Sequence, residues 1–124
     1  MRPFQRIFAG ALMGSLLVTV AACNGETGTQ LTFRQEPDTV EVVLTESFTF
    51  SPSEVTIPVG TVVRWINAAP IFHTITADGH NEWARATLSD QGETFEHLFE
   101  VPGTYPYYCE VHLEQDMTGV IVVE

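Results

Sequence analysis

One stretch of this 124-residue sequence concentrates side chains that bind soft metal ions: Tyr107-Tyr108-Cys109-Glu110-Val111-His112-Leu113-Glu114-Gln115-Asp116-Met117, in which the ligand types fall as C-x2-H-x4-M. A thiolate, an imidazole and a thioether on one short loop can converge on a single point when the loop joins two strands. The run ending at Cys109 and the run opening at Gly119 both have strand composition, so that condition is met. A fourth ligand has to come from elsewhere, and His73 qualifies because it stands at the start of another strand, after the loop 67–72. His73, Cys109, His112 and Met117 together suit copper. Cu(I) prefers soft sulfur donors and Cu(II) prefers imidazole, while a trigonal His2Cys site with a weak axial Met is acceptable to both. Little has to rearrange when one electron is gained or lost. Zinc would accept the two histidines and the cysteine but has no use for the thioether, and structural zinc sites offer four strong ligands.

Taken singly, each residue has a plainer reading: a histidine is most often structural and a methionine most often core filler. The joint spacing is what outweighs it. His80, after the Asp78-Gly79 turn, and His97, alternating with Phe95 and Phe99, lack such a context and read as structural or surface residues rather than ligands. The cysteine count points the same way as the spacing. Of the 2 cysteines, Cys23 lies in the N-terminal segment, so Cys109 has no disulfide partner. An exported protein that keeps one thiol needs a use for it, and metal ligation supplies one.

Export is read from the N-terminus, where Arg2 and Arg6 precede an apolar run over 7–22 that ends in Val20-Ala21-Ala22-Cys23. This is the organisation of a secretory leader, and small residues directly before a cysteine resemble a bacterial lipobox. The expectation is a leader over 1–22 that is removed, leaving Cys23 lipidated as the first mature residue; a plain secretory leader cut at the same bond is the alternative. The run is short for a transmembrane span. Residues 23–38 are polar, with Gly25, Gly28 and Pro37, and fit a flexible tether. The domain is expected over 39–124, at the periplasmic or other extracytoplasmic face of a membrane. Charge narrows the partners. There are 16 Asp and Glu against 5 Lys and Arg, a net charge of −11, and after residue 22 the fixed cations are only Arg34, Arg64 and Arg85. Nucleic acid is excluded as a partner. A basic docking protein suits the excess carboxylate, as does a saline habitat that screens the self-repulsion.

The metal ligands need strands to hold them, and short β-branched and aromatic runs supply these at 40–44, 54–59, 61–67, 72–77, 94–99, 104–109 and 119–123. Turn residues separate them at Ser51-Pro52, Pro58 to Gly60, Asp78-Gly79, Gln91-Gly92 and Pro102-Gly103. Residues 81–88 are the one stretch with room for a short helical turn. Seven to eight strands at this spacing argue for an all-β Greek-key antiparallel sandwich of one domain.

The motifs, in order, resemble those of plastocyanin-type cupredoxins, including the lipid-anchored halocyanins: Phe50-Ser51-Pro52-Ser53-Glu54-Val55-Thr56-Ile57-Pro58-Val59-Gly60, Trp65-Ile66-Asn67 leading to Phe72-His73-Thr74, Gly92-Glu93-Thr94-Phe95, Pro102-Gly103-Thr104-Tyr105, and Met117-Thr118-Gly119. The resemblance implies one type 1 copper, bound by His73 and His112 through Nδ1, by Cys109 as the short thiolate and by Met117 as the weak axial ligand. It also implies that His112 reaches the surface in an apolar patch with Pro70, Phe72 and Leu113 as its candidates, and that Tyr108 lies near a docking route. Plastocyanins commonly have asparagine after the first histidine; here Thr74 stands there, and its hydroxyl is expected to fasten the ligand loop. The function implied is single-electron transfer between protein redox partners by a monomer. Enzymatic relatives would need a histidine beside the cysteine, whereas the neighbours are Tyr108 and Glu110, and the chain has no His-x-His pair. Copper storage or delivery to a copper enzyme is the alternative.

Overall fold

The computed structural model describes residues 35–124, so the expected leader over 1–22, Cys23 and the tether up to residue 34 lie outside the described residues. From there the chain alternates between inward apolar and outward polar side chains, the period-2 pattern of half-buried strands. Nine strands result: β1 (Thr39–Leu44), β2 (Phe50–Ser51), β3 (Glu54–Ile57), β4 (Thr61–Asn67), β5 (His73–Ala77), β6 (Ala86–Leu88), β7 (Thr94–Phe99), β8 (Gly103–Tyr108) and β9 (Thr118–Val123). A 3-10 segment over Glu110–Gln115 interrupts them just after β8.

The strands form two sheets, ordered β3-β9-β8-β5-β6 and β2-β1-β4-β7. This is the all-β sandwich that strand spacing led one to expect, with two refinements. Most pairs are antiparallel, but β1 runs parallel to β4 and β3 parallel to β9. Neither pair is joined by a hairpin, so no tight turn constrains its direction. The second refinement is a correction: residues 86–88 are not helical. They pair antiparallel with β5, Leu88 opposite His73, because an edge position beside a buried strand outweighs a weak local preference.

Trp65 is the centre of the core. It is fully buried and its ring meets Trp83, Phe95 and Tyr107 at centroid separations of 5.5, 5.4 and 5.5 Å. Edge and tilted contacts of this kind add to the apolar area they bury. Burial pushes the Tyr107 phenol up to about 12, so it stays neutral. Gly119 faces Tyr107 across β8 and β9, and a Cβ there would lie 2.5 Å from the Tyr107 ring. The missing side chain is therefore what lets the ring lie over the β9 backbone. Outside, Arg64 on β4 bridges Glu41 on β1 and Glu96 on β7 along one cross-strand row. All three are solvated, so the ladder fixes register more than it stabilises.

Candidate metal centre

The alternation of β8 continues past its end, so Tyr105, Tyr107 and Cys109 all face inward and the Cys109 thiol is delivered to one end of the sandwich interior. β5 lies antiparallel to β8 with Thr76 opposite Tyr108, which carries residues 73 and 74 alongside 109 and 110. Two hydrogen bonds lock that juxtaposition. Thr74 N–H donates to Cys109 Sγ at 3.3 Å, and Glu110 N–H donates to Thr74 Oγ1 at 2.8 Å. The hydroxyl expected to fasten the ligand loop does so.

The loop itself is closed by Cys109 N–H donating to the Met117 carbonyl at 3.0 Å. Within it Asp116 adopts a left-handed conformation, φ 56°, that aspartate tolerates better than most residues, and its N–H donates to Leu113 O at 3.0 Å. His112 is thereby turned back toward the thiol, with Nδ1 3.3 Å from Cys109 Sγ, while His73 Nδ1 approaches from β5 at 3.9 Å. One ligand atom from each of His73, Cys109 and His112 lies within 4.8 Å of the others. Met117 is buried at the same end, its backbone bonded to that of Cys109.

These distances can be compared with what a metal ion requires. Nitrogen and sulfur donors about 2.1 and 2.3 Å from one ion in trigonal geometry stand about 3.8 Å apart. The observed 3.9 and 3.3 Å lie on either side of that value. The protonation states agree with it. Desolvation holds the His73 imidazole below its ordinary range, with His112 adding to the effect, and desolvation does the same at His112. Both rings are thus biased toward the neutral form that a ligand must have. The donor set fits copper.

His80 and His97 are elsewhere. His80 binds the Pro106 carbonyl through Nε2 at 2.9 Å, accepts Glu82 N–H at Nδ1, and packs with His97 against Trp83. Both are packing residues of the flank, in keeping with the sequence. One neighbour of the site had no signal in the sequence. Phe48, in the β1–β2 turn, adopts φ 59° and places its ring 4.6 Å from that of His112. A positive φ is strained for a bulky residue, and here it seats an aromatic ring against a ligand.

Thr74→Val should orphan the half-buried Glu110 N–H while keeping the Thr74 N–H bond to sulfur. The expected result is a loss of about 1–3 kcal/mol of stability and a copper affinity about tenfold lower or more. Chemical denaturation of the metal-free protein and chelator competition of the loaded one measure the two effects.

Comparison with known proteins accords with this geometry. Residues 37–124 match the family model of copper binding proteins, plastocyanin/azurin family. The chain is 38% identical over 84 residues to plastocyanin from Scenedesmus fuscus, a match covering 60% of this chain and 86% of that protein. It is 30% identical over 80 residues to halocyanin from Natronomonas pharaonis, where it covers 62% of this chain but only 49% of the relative. Among solved structures, a purple cupredoxin from Nitrosopumilus maritimus superposes with a TM-score of 0.59 at 29% identity, covering 68% of this chain and 98% of that one. A plastocyanin from Dryopteris crassirhizoma, at 22% identity and a TM-score of 0.58, shares the fold. The chain belongs to the plastocyanin/azurin family of copper-binding proteins: it is a cupredoxin of plastocyanin type, with one copper site, of the electron-transfer kind.

Proposed function

We propose that the protein carries single electrons between protein partners at the outer face of a membrane, with one copper ion held by His73, Cys109, His112 and Met117. The observation that carries this reading is the convergence of two imidazole nitrogens and a thiol at a buried strand end. When bound, copper supplies reversible one-electron chemistry that suits this donor set in both oxidation states. The chain supplies the rest. Full burial of His73 and Cys109 keeps water off the donors, and the hydrogen bonds of Thr74 and Met117 hold the loop in one geometry. Such enclosure favours retention of the metal over its exchange, which argues against storage or delivery.

The copper-loaded domain should show an intense visible band near about 600 nm from thiolate-to-Cu(II) charge transfer. Cys109→Ser should abolish it. A colourless copper-loaded wild type would overturn the assignment.

Electrons are proposed to leave through His112, which is only partly buried. Around it Leu113 is 63% and Phe72 41% exposed, and Pro70 is exposed on the neighbouring loop, giving an apolar rim able to exclude water from a docked partner. Glu46, Glu114 and Asp116 stand on the loops of the same end and would steer a basic partner from a distance. Leu113→Glu should slow transfer to a basic acceptor at least several-fold while leaving the visible spectrum unchanged, and added salt should slow the wild type. Stopped-flow rates across a salt series measure both. An unaltered rate in the variant would move the exit toward Tyr108.

The anchor is proposed to be a lipid on Cys23. Thr39 pairs with Val62 and Leu44 with Asn67, whose strand runs on toward the His73 loop, so β1 enters at the pole opposite the metal centre. Mass spectrometry of the membrane-extracted protein should find Cys23 diacylglyceryl-modified. An unmodified Cys23 in a freely soluble mature chain would exclude the anchor.

A further inference from the structure

The loop 68–72, which delivers His73, crosses from β4 in one sheet to β5 in the other and has no strand ladder of its own. What holds it is the side chain of Asn67, the last residue of β4 and fully buried. Its Nδ2 donates to Ile71 O at 2.8 Å and to Leu88 O at 3.3 Å, and its Oδ1 accepts Ala69 N–H at 3.1 Å. Leu88 is the ladder partner of His73, and Ile71 precedes His73 by two residues. The two carbonyls gripped by one amide therefore belong to the chain leading into His73 and to its strand partner.

The main chain of Asn67 is equally committed. Its N–H donates to Glu93 O at 2.9 Å and its carbonyl accepts Gly92 N–H at 2.7 Å, while Gln91 Nε2 donates to Ala68 O at 2.9 Å. These bonds staple the loop to the β6–β7 turn. Both donors of the side-chain amide and its oxygen are used, which no shorter or apolar side chain could reproduce.

We propose that Asn67 is a positioning residue for His73: it fixes this ligand from the four-stranded sheet, while the β5–β8 pairing fixes it relative to Cys109 from the five-stranded one. The inference rests on the reading of His73 as a copper ligand. A purely structural asparagine would contribute stability alone, and the two roles separate cleanly. Copper binds the folded form, so a variant that is less stable but still folded keeps its affinity, whereas one with a displaced ligand does not.

The test compares Asn67→Ser, whose hydroxyl is too short to reach both carbonyls, and Asn67→Asp, which keeps the acceptor for Ala69 but loses both donors. Val63→Ala, a fully buried change on the same strand, is the packing control. Thermal melting and amide exchange are read on the metal-free proteins, and copper affinity by chelator competition with the visible and electron-paramagnetic spectra on the loaded ones. Both Asn67 variants should bind copper about tenfold more weakly or worse, with altered spectra, and Asn67→Ser should exchange the Ala69 and Gly92 amides faster. The control should melt at a lower temperature with affinity and spectra unchanged. If either Asn67 variant folds and keeps wild-type affinity and spectra, the proposal is overturned. A wild type without a thiolate charge-transfer band would instead overturn the copper reading itself.

Discussion

The pairing of β5 with β8 is the constraint on which the rest of the metal centre depends. With Thr76 opposite Tyr108, two segments remote in the chain meet so that Thr74 N–H reaches the Cys109 sulfur and Thr74 Oγ1 receives Glu110 N–H. A slip of one residue would turn Cys109 to the outer face and His73 away from it, because side chains alternate across a strand. Tyr107 and Ile75, both buried, oppose such a slip, since it would carry each of them out of the core. Register, core packing and ligand geometry are thus one decision.

From that constraint the loop conformation follows. The thiol lies at a strand end, so the chain must turn back at once to bring a second imidazole to it and still enter β9. The turn is achieved by the 3-10 segment, the left-handed Asp116 and the bond between Cys109 N–H and Met117 O. Across from it the β1–β2 turn holds Phe48 at positive φ against His112. That turn is supported by Thr45, whose side-chain oxygen accepts the N–H of Ser47 and of Thr49. Strain of this kind persists where surrounding bonds over-determine it, and here it stands beside a ligand.

The electrostatics divide between inside and outside. Within, desolvation biases both imidazoles toward the neutral form, and Thr74 N–H donates to the buried sulfur, so the cost of an unpaired buried charge is reduced. Outside, both arginines of the described residues are engaged by carboxylates, Arg64 with Glu41 and Glu96 and Arg85 with Glu110. The Arg85–Glu110 pair ties the loop before β6 to the residue after Cys109, so one of the few cations is spent next to the ligand loop. The remaining acidic residues leave a negative field that salt screens while the packed core is untouched.

The ligand types, their spacing on one loop, the approximate limits of seven of the nine strands and the sign of the surface charge are legible in the residues alone, whereas the short strands 50–51 and 86–88 are not. The legible features are local or additive properties. Alternation within 61–67 and 104–109 was legible because a half-buried strand imprints its two faces on consecutive residues. Residues 86–88 were misread because their partner, β5, is remote in the chain, and local preference carries no information about it. Phe48, seated on a histidine 64 residues away, was silent for the same reason, and Asn67, although part of the Trp65-Ile66-Asn67 motif, gave no sign that it grips carbonyls at 71 and 88. Motif and loop spacing picked His73 and His112 out of the four histidines, but the approach of their nitrogens to the thiol, 3.9 and 3.3 Å from Cys109 Sγ, depends on contacts remote in the chain. His80 and His97 have the same chemistry as His73 and His112, and what separates them is strand register, which sets which side chains share one end of the sandwich interior.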